Sequence, residues 1–93
     1  MAKFPLGQTV MTRGIADKVA EDPRFAQFVL QSMTRHANGD WGDLCAEDKK
    51  GNELALLQGN LRLFSAYETP PWKIWIITEA DRSVTTVLFP EEY

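Results

Sequence analysis

Residues 72–93 read WKIWIITEADRSVTTVLFPEEY. Two β-rich runs, Trp72–Thr78 and Val84–Phe89, flank a polar turn at Glu79–Ser83, and Pro90 stops the second run. The spacing is too short for anything but a hairpin. WKIWIIT is apolar on both alternating faces apart from Lys73 and Thr78. That pattern predicts a central strand covered on both sides, or a strand with one face at an interface. Just upstream, Leu61–Tyr67 (LRLFSAY) predicts a further strand, ended by Thr69-Pro70-Pro71.

Towards the N-terminus the period changes to helical. Asp43–Gln58 predicts a helix with a potential break at Gly51-Asn52. If it is unbroken, Asp48 and Asn52 fall in line with Leu44 and Leu56, and polar groups on that inward row need partners. Pro23–Ala37 predicts the best helix, with Phe25, Phe28, Val29 and Met33 on one face and His36 continuing the row. Asp22 is its expected N-cap, Pro23 suits the first helical position, and Asn38-Gly39 closes it. Thr12 is the expected cap of a shorter helix over Arg13–Glu21, and Gly7–Thr12 is an expected edge strand or extended lead-in. The expected fold is α+β: two or three helices packed on a three- to four-stranded antiparallel meander sheet. It forms one domain over residues 1–93, with 1–6 as a loose N-terminal arm.

The chain has 93 residues, is 44% hydrophobic and 25% charged, and carries a formal net charge of −3. A protein that gains affinity by neutralising phosphates needs clustered Lys and Arg, so direct nucleic-acid binding is not expected. An acidic protein instead suits a basic surface on another protein, including one that normally holds nucleic acid. The single cysteine, Cys45, has no disulfide partner within the chain and no zinc-type spacing around it. Its place beside Leu44 predicts a core position. No phosphate loop, dinucleotide fingerprint or nucleophile elbow is present, so no cofactor and no metal are expected. No run is apolar enough for a signal peptide or a bilayer span, which makes the cytosol the expected compartment.

Three groups of residues carry candidate chemistry. His36, Asp40, Asp43 and Asp48 gather one imidazole and three carboxylates around a turn, although without the alternating grammar of a calcium loop. Helix capping explains them more simply. Glu79, Asp81, Arg82, Thr85 and Thr86 converge near one end of the sheet, where Glu79 would act as a base and Arg82 as an anion holder. A hairpin turn explains these more simply. Trp41, Trp72, Trp75, Phe89 and Tyr93 are many large rings for a small domain. Core packing is expected for Trp75 and Phe89, whereas Trp72, beside two prolines, is the better candidate for exposure in a recognition patch.

Two stretches, Arg35–Leu56 (RHANGDWGDLCAEDKKGNELAL) and Lys73–Tyr93 (KIWIITEADRSVTTVLFPEEY), resemble a family of small uncharacterised proteins of plasmids, phages and integrative elements. Its members are labelled plasmid-related protein and sometimes type I restriction subunit M. The resemblance covers nearly the whole chain from about Gln8 onward and carries over no functional residues. Catalysis of methylation is not expected of these 93 residues, because the Rossmann domain and Gly-rich loop it needs are not among them.

The mobile-element setting implies one of two principal roles. The first is a non-enzymatic anti-defence inhibitor, of anti-CRISPR or anti-restriction type. It would bind the basic surface of a host-defence nucleoprotein through Asp40, Trp41, Asp43, Glu47, Asp48, Trp72, Glu79, Asp81, Arg82, Glu91 and Glu92. The second is a RelE-like ribonuclease toxin, for which the catalytic groups would be His36, Glu79, Arg82 and Thr86. A third reading is a homo-oligomeric accessory protein in which Gly7–Thr12 or Val84–Phe89 pairs between copies.

Overall fold

The computed structural model describes residues 2–93. Its elements run β1 (Gln8–Met11), α1 (Arg13–Glu21), α2 (Pro23–Ala37), α3 (Ala46–Gln58), β2 (Leu63–Thr69), β3 (Trp72–Thr78), β4 (Val84–Leu88) and a closing 3₁₀ turn, Pro90–Glu92. The fold is α+β, with one four-stranded sheet in the order β1-β4-β3-β2.

β2, β3 and β4 form the expected antiparallel meander. β1, however, adds to β4 in parallel, so the sheet is mixed where a purely antiparallel one was expected. The reason lies at the strand ends. β1 passes through Thr12 straight into α1, and β4 passes through Phe89 into the 3₁₀ turn. The Glu92 carboxylate then accepts hydrogen bonds from Thr12 Oγ1 (2.5 Å) and from the Gly14 amide in the first turn of α1 (3.2 Å). Both strands must therefore finish at the same end. Thr12 was expected to cap α1 with its own side chain; a carboxylate from the far end of the sequence satisfies that turn instead, as the helix dipole favours.

α2 forms where the sequence predicts. The Asp22 carboxylate accepts from the amides of Arg24 (3.0 Å) and Phe25 (3.4 Å), satisfying donors that the first turn leaves free. Its apolar face packs with α1 on one side of the sheet. There Ile15, Phe25, Phe28, Val29, Tyr67, Ile74, Ile76 and Val87 make the main core. Each large side chain fully buried in this way stabilises the fold by ~1.5–3 kcal/mol.

α3 starts at Ala46 and not Asp43, and it continues unbroken through Gly51-Asn52. It lies along the outer edge of β2, above a smaller cluster of Phe4, Trp41, Ala55 and Leu63. Phe4 is buried and the Lys3 amide donates to Ala37 O (2.8 Å), so the expected loose arm is fastened at both residues.

The segment GDWGD (Gly39–Asp43) closes that outer edge of β2 as a partial fifth strand. The Ala66 amide donates to Trp41 O (3.3 Å), and the Asp43 amide donates to Ala66 O (2.7 Å). The Asp43 carboxylate accepts from the Glu68 amide (2.8 Å). Gly42 makes this approach feasible. Its φ is +74°, and a Cβ there would run into Ala66 O and the Tyr67 ring.

Candidate functional site

Of the four residues expected to serve a ribonuclease, Glu79 and Arg82 meet in the β3–β4 turn, whereas His36 is buried and Thr86 faces the other side of the sheet from it. His36 is fully buried between α2 and the sheet. It belongs to a chain of hydrogen bonds linking Ser65 Oγ, His36 Nδ1, His36 Nε2, Thr78 Oγ1 (2.9 Å), Thr85 Oγ1 (2.8 Å) and Leu6 O (2.7 Å). Leu6 O can only accept, so Thr85 donates to it, Thr78 donates to Thr85, and His36 Nε2–H donates to Thr78. Burial keeps the ring neutral, so Nδ1 accepts from the Ser65 hydroxyl. The imidazole is therefore the neutral Nε2–H tautomer, and burial pulls its pKa down to about 4. The Phe4 and Trp41 rings stand edge-on to it at 5.3 and 5.8 Å.

Arg82 was expected to hold an anion. Its guanidinium instead donates to four carbonyls: Leu61 O (2.6 Å), Glu79 O (3.1 Å), Ala80 O (3.1 Å) and Ala55 O (3.2 Å). It ties the end of α3 to the β3–β4 turn, and its backbone adopts φ +61° to do so. Thr86 lies on the opposite face of the sheet from His36, by the alternation that puts Thr85 in the buried chain.

Most of the predicted binding acids have local duties. Asp40 pairs with Arg35 (2.7 Å), which holds its carboxyl below the usual range, and it also accepts from the Gly42 amide (3.1 Å). Asp81 accepts from the Ser83 amide and hydroxyl within the turn. Glu92 caps α1, as described above. Glu79 pairs with Arg62 (3.6 Å). Glu47, Asp48 and Glu91 are exposed and enter no ion pair among the described residues. Cys45, expected in the core, is exposed at the N-cap of α3.

The indoles exchange roles. Trp41, expected as an exposed anchor, is buried, and its Nε1–H donates to Glu53 (2.7 Å). Trp72 is half-buried against Phe25 (5.5 Å) and Phe28 (5.6 Å) on the helix side. Trp75, expected in the core, is half-exposed on the face that α1 and α2 do not cover. There Phe64, Trp75 and Tyr93 stand edge to face, at 5.1 Å for Phe64–Trp75 and 5.7 Å for Trp75–Tyr93. With Ile77 and Arg62 they line a concavity of about 360 Å³. The Arg62 guanidinium sits 6.0 Å from the Tyr93 ring centre and donates to its hydroxyl (3.3 Å).

Asp43, Asp48, Glu68 and Lys73 border an adjoining hollow that shares Phe64 and Trp75 with the first. Lys73, the one cation among the described residues lining this hollow, is matched by Glu68 (4.0 Å), so its lining side chains carry net negative charge through Asp43 and Asp48, with Arg35 within reach of Asp43. Phe64, Ile77 and Arg62 escaped the sequence reading. For Ile77 the signal was the odd-numbered row of WKIWIIT, where Trp75 and Ile77 are apolar beside Lys73 although two helices cover only one sheet face; nothing local marked Phe64 and Arg62.

Among the described residues no His, Cys, Asp and Glu cluster has metal-binding geometry, and no helix is long and apolar enough to cross a membrane. Comparisons with protein-family models, curated proteins and solved structures return no match.

Proposed function

We propose that this chain is a protein-binding protein that grips a basic surface of a macromolecular partner without transforming a substrate. In the mobile-element setting implied by the resemblance, that partner is a host-defence nucleoprotein and the outcome is inhibition. The observation that carries the reading is the Phe64–Trp75–Tyr93 ring cluster, set half-exposed on the helix-free sheet face beside the carboxylates of Asp43 and Asp48. Large rings at the centre of a patch and charge at its rim are the anatomy of binding hot spots. Stacked nucleobases are the other natural occupant of rings on a sheet. Surplus negative charge at the rim repels the phosphates that would come with them.

The test is affinity capture from a host lysate, comparing wild type with Trp75→Ala and Asp48→Lys. The expected result is one nucleoprotein retained by wild type, released by raised salt, and weakened by both substitutions. Retention indifferent to both, or no specific retention, would remove the support for this reading.

A further inference from the structure

The two edges of the sheet are treated in opposite ways. On β2, Asn52, Trp41 and Asp43 occupy the outward backbone groups of Phe64, Ala66 and Glu68. β4, one of the two segments expected to pair between copies, is interior and has no free edge. β1 forms the other edge. The Gln8 amide donates to Ser83 O (2.9 Å) and the Thr12 amide to Val87 O (3.0 Å), so the even-numbered residues bond to β4. By the alternation of a parallel ladder, the N–H and C=O groups of Thr9 and Met11 point away from the sheet. Beside them runs an apolar groove lined by Met11, Val19, Ala26, Leu30, Met33 and Val87, with Leu30 68% and Met11 44% exposed.

We propose that this edge is a two-fold interface, in which β1 pairs antiparallel with β1 of a second copy and the two sheets become one. The pattern of groups is self-complementary, as a two-fold axis requires. With Val10 opposite Val10, Thr9 of each copy faces Met11 of the other, and both pairs exchange their outward N–H and C=O groups. Charge selects the same occupant. Gly7–Thr12 and the groove carry no ionisable side chain, in a protein of net charge −3. In this register Arg13 falls opposite Gly7, so no charge meets its own copy. A charged partner would find nothing here to recognise, whereas a second copy meets an uncharged strip where like-charge repulsion is least. A stable interface buries upwards of about 1,000 Å² in total, more than so short a strand supplies. Leu30 and Met33 of both copies, meeting across the axis, widen the contact.

Sedimentation equilibrium of the full chain from micromolar to near-millimolar concentration tests this. Wild type is expected to approach the dimer mass. Thr9→Pro removes an outward N–H while leaving the bonds to β4 intact, and Leu30→Glu sets like charges across the axis. Both are expected to sediment as monomers with wild-type circular dichroism. Leu30→Glu alters an exposed side chain, so it stands as the test if Thr9→Pro does not fold. A monomeric wild type at every concentration would overturn the proposal. So would a dimer that survives Leu30→Glu or is dissolved by Trp75→Ala.

Discussion

The side-chain amide of Asn52 acts as a strand partner for the backbone of Phe64. Its Nδ2 donates to Phe64 O at 2.5 Å, and its Oδ1 accepts from the Phe64 amide at 3.0 Å. One helical residue thereby closes the outer edge of the sheet at the strand that carries the Phe64 ring. Asn52→Ala leaves both backbone groups without their partner and is expected to lower unfolding free energy by ~2–3 kcal/mol. Asn52→Asp keeps the acceptor but turns a carboxylate oxygen onto Phe64 O at a buried site, and is expected to cost at least as much as Asn52→Ala. Urea denaturation of the three proteins checks the order.

That contact also explains a puzzle in the sequence. On an unbroken helix Asp48 and Asn52 share the row of Leu44 and Leu56, which argues for a break or a polar site. The structure answers differently: Asn52 turns to a strand edge and Asp48 is exposed. Patterns of local period were readable, and α1, α2 and β3 fall on the residues predicted for them. Partnerships across long separations were not. Nothing local in GDWGD says that it will lie along β2, or that Glu92 will cap a helix 78 residues earlier. The same blindness affected the rings. Neighbours in sequence point Trp41 to the surface and Trp75 to the core. Their actual exposure depends on which sheet face the helices cover.

His36 makes stability depend on pH. Its folded pKa of about 4 lies below the ordinary 6.5, so between those values the unfolded chain holds more protons than the folded one. The stabilisation is therefore fully present above pH 6.5 and is lost as pH falls towards 4. The loss across that range is on the order of a few kcal/mol. Asp40, Asp81 and Glu92, whose carboxyls are held below their ordinary range, add losses of the same sign at lower pH. Denaturation midpoints measured from pH 7.5 to 4.5 are expected to fall steeply for wild type and to flatten in His36→Gln, whatever the absolute stability of that variant.

Arg82 is predicted to be a structural residue. Charge-assisted hydrogen bonds to carbonyls of Ala55, Leu61, Glu79 and Ala80 are lost together in Arg82→Ala, at an expected cost of ~2–4 kcal/mol. Arg82→Lys, a point charge without the planar fork, is expected to recover less than half of that. Thermal unfolding distinguishes this from a binding role, in which the folded state would be indifferent to either change.

Glu92 joins the two ends of the described chain through Thr12 and Gly14. Glu92→Gln retains an acceptor but loses the charge beside the helix N-terminus, and an effect of ~0.5–1 kcal/mol is expected. Gly14→Ala places a methyl against the same carboxylate, since a Cβ there would lie 2.5 Å from Glu92 Oε2. The double variant Gly14→Ala with Glu92→Ala is expected to cost less than the sum of its parts, measured by a thermodynamic cycle.

The most direct measurement of the ring-face account is the affinity of a captured partner for wild type, Trp75→Ala and Trp72→Ala, each checked for a native fold. At least about tenfold weaker binding is expected for Trp75→Ala, and a much smaller change for Trp72→Ala on the other side of the sheet. Equal affinity for wild type and Trp75→Ala would contradict it.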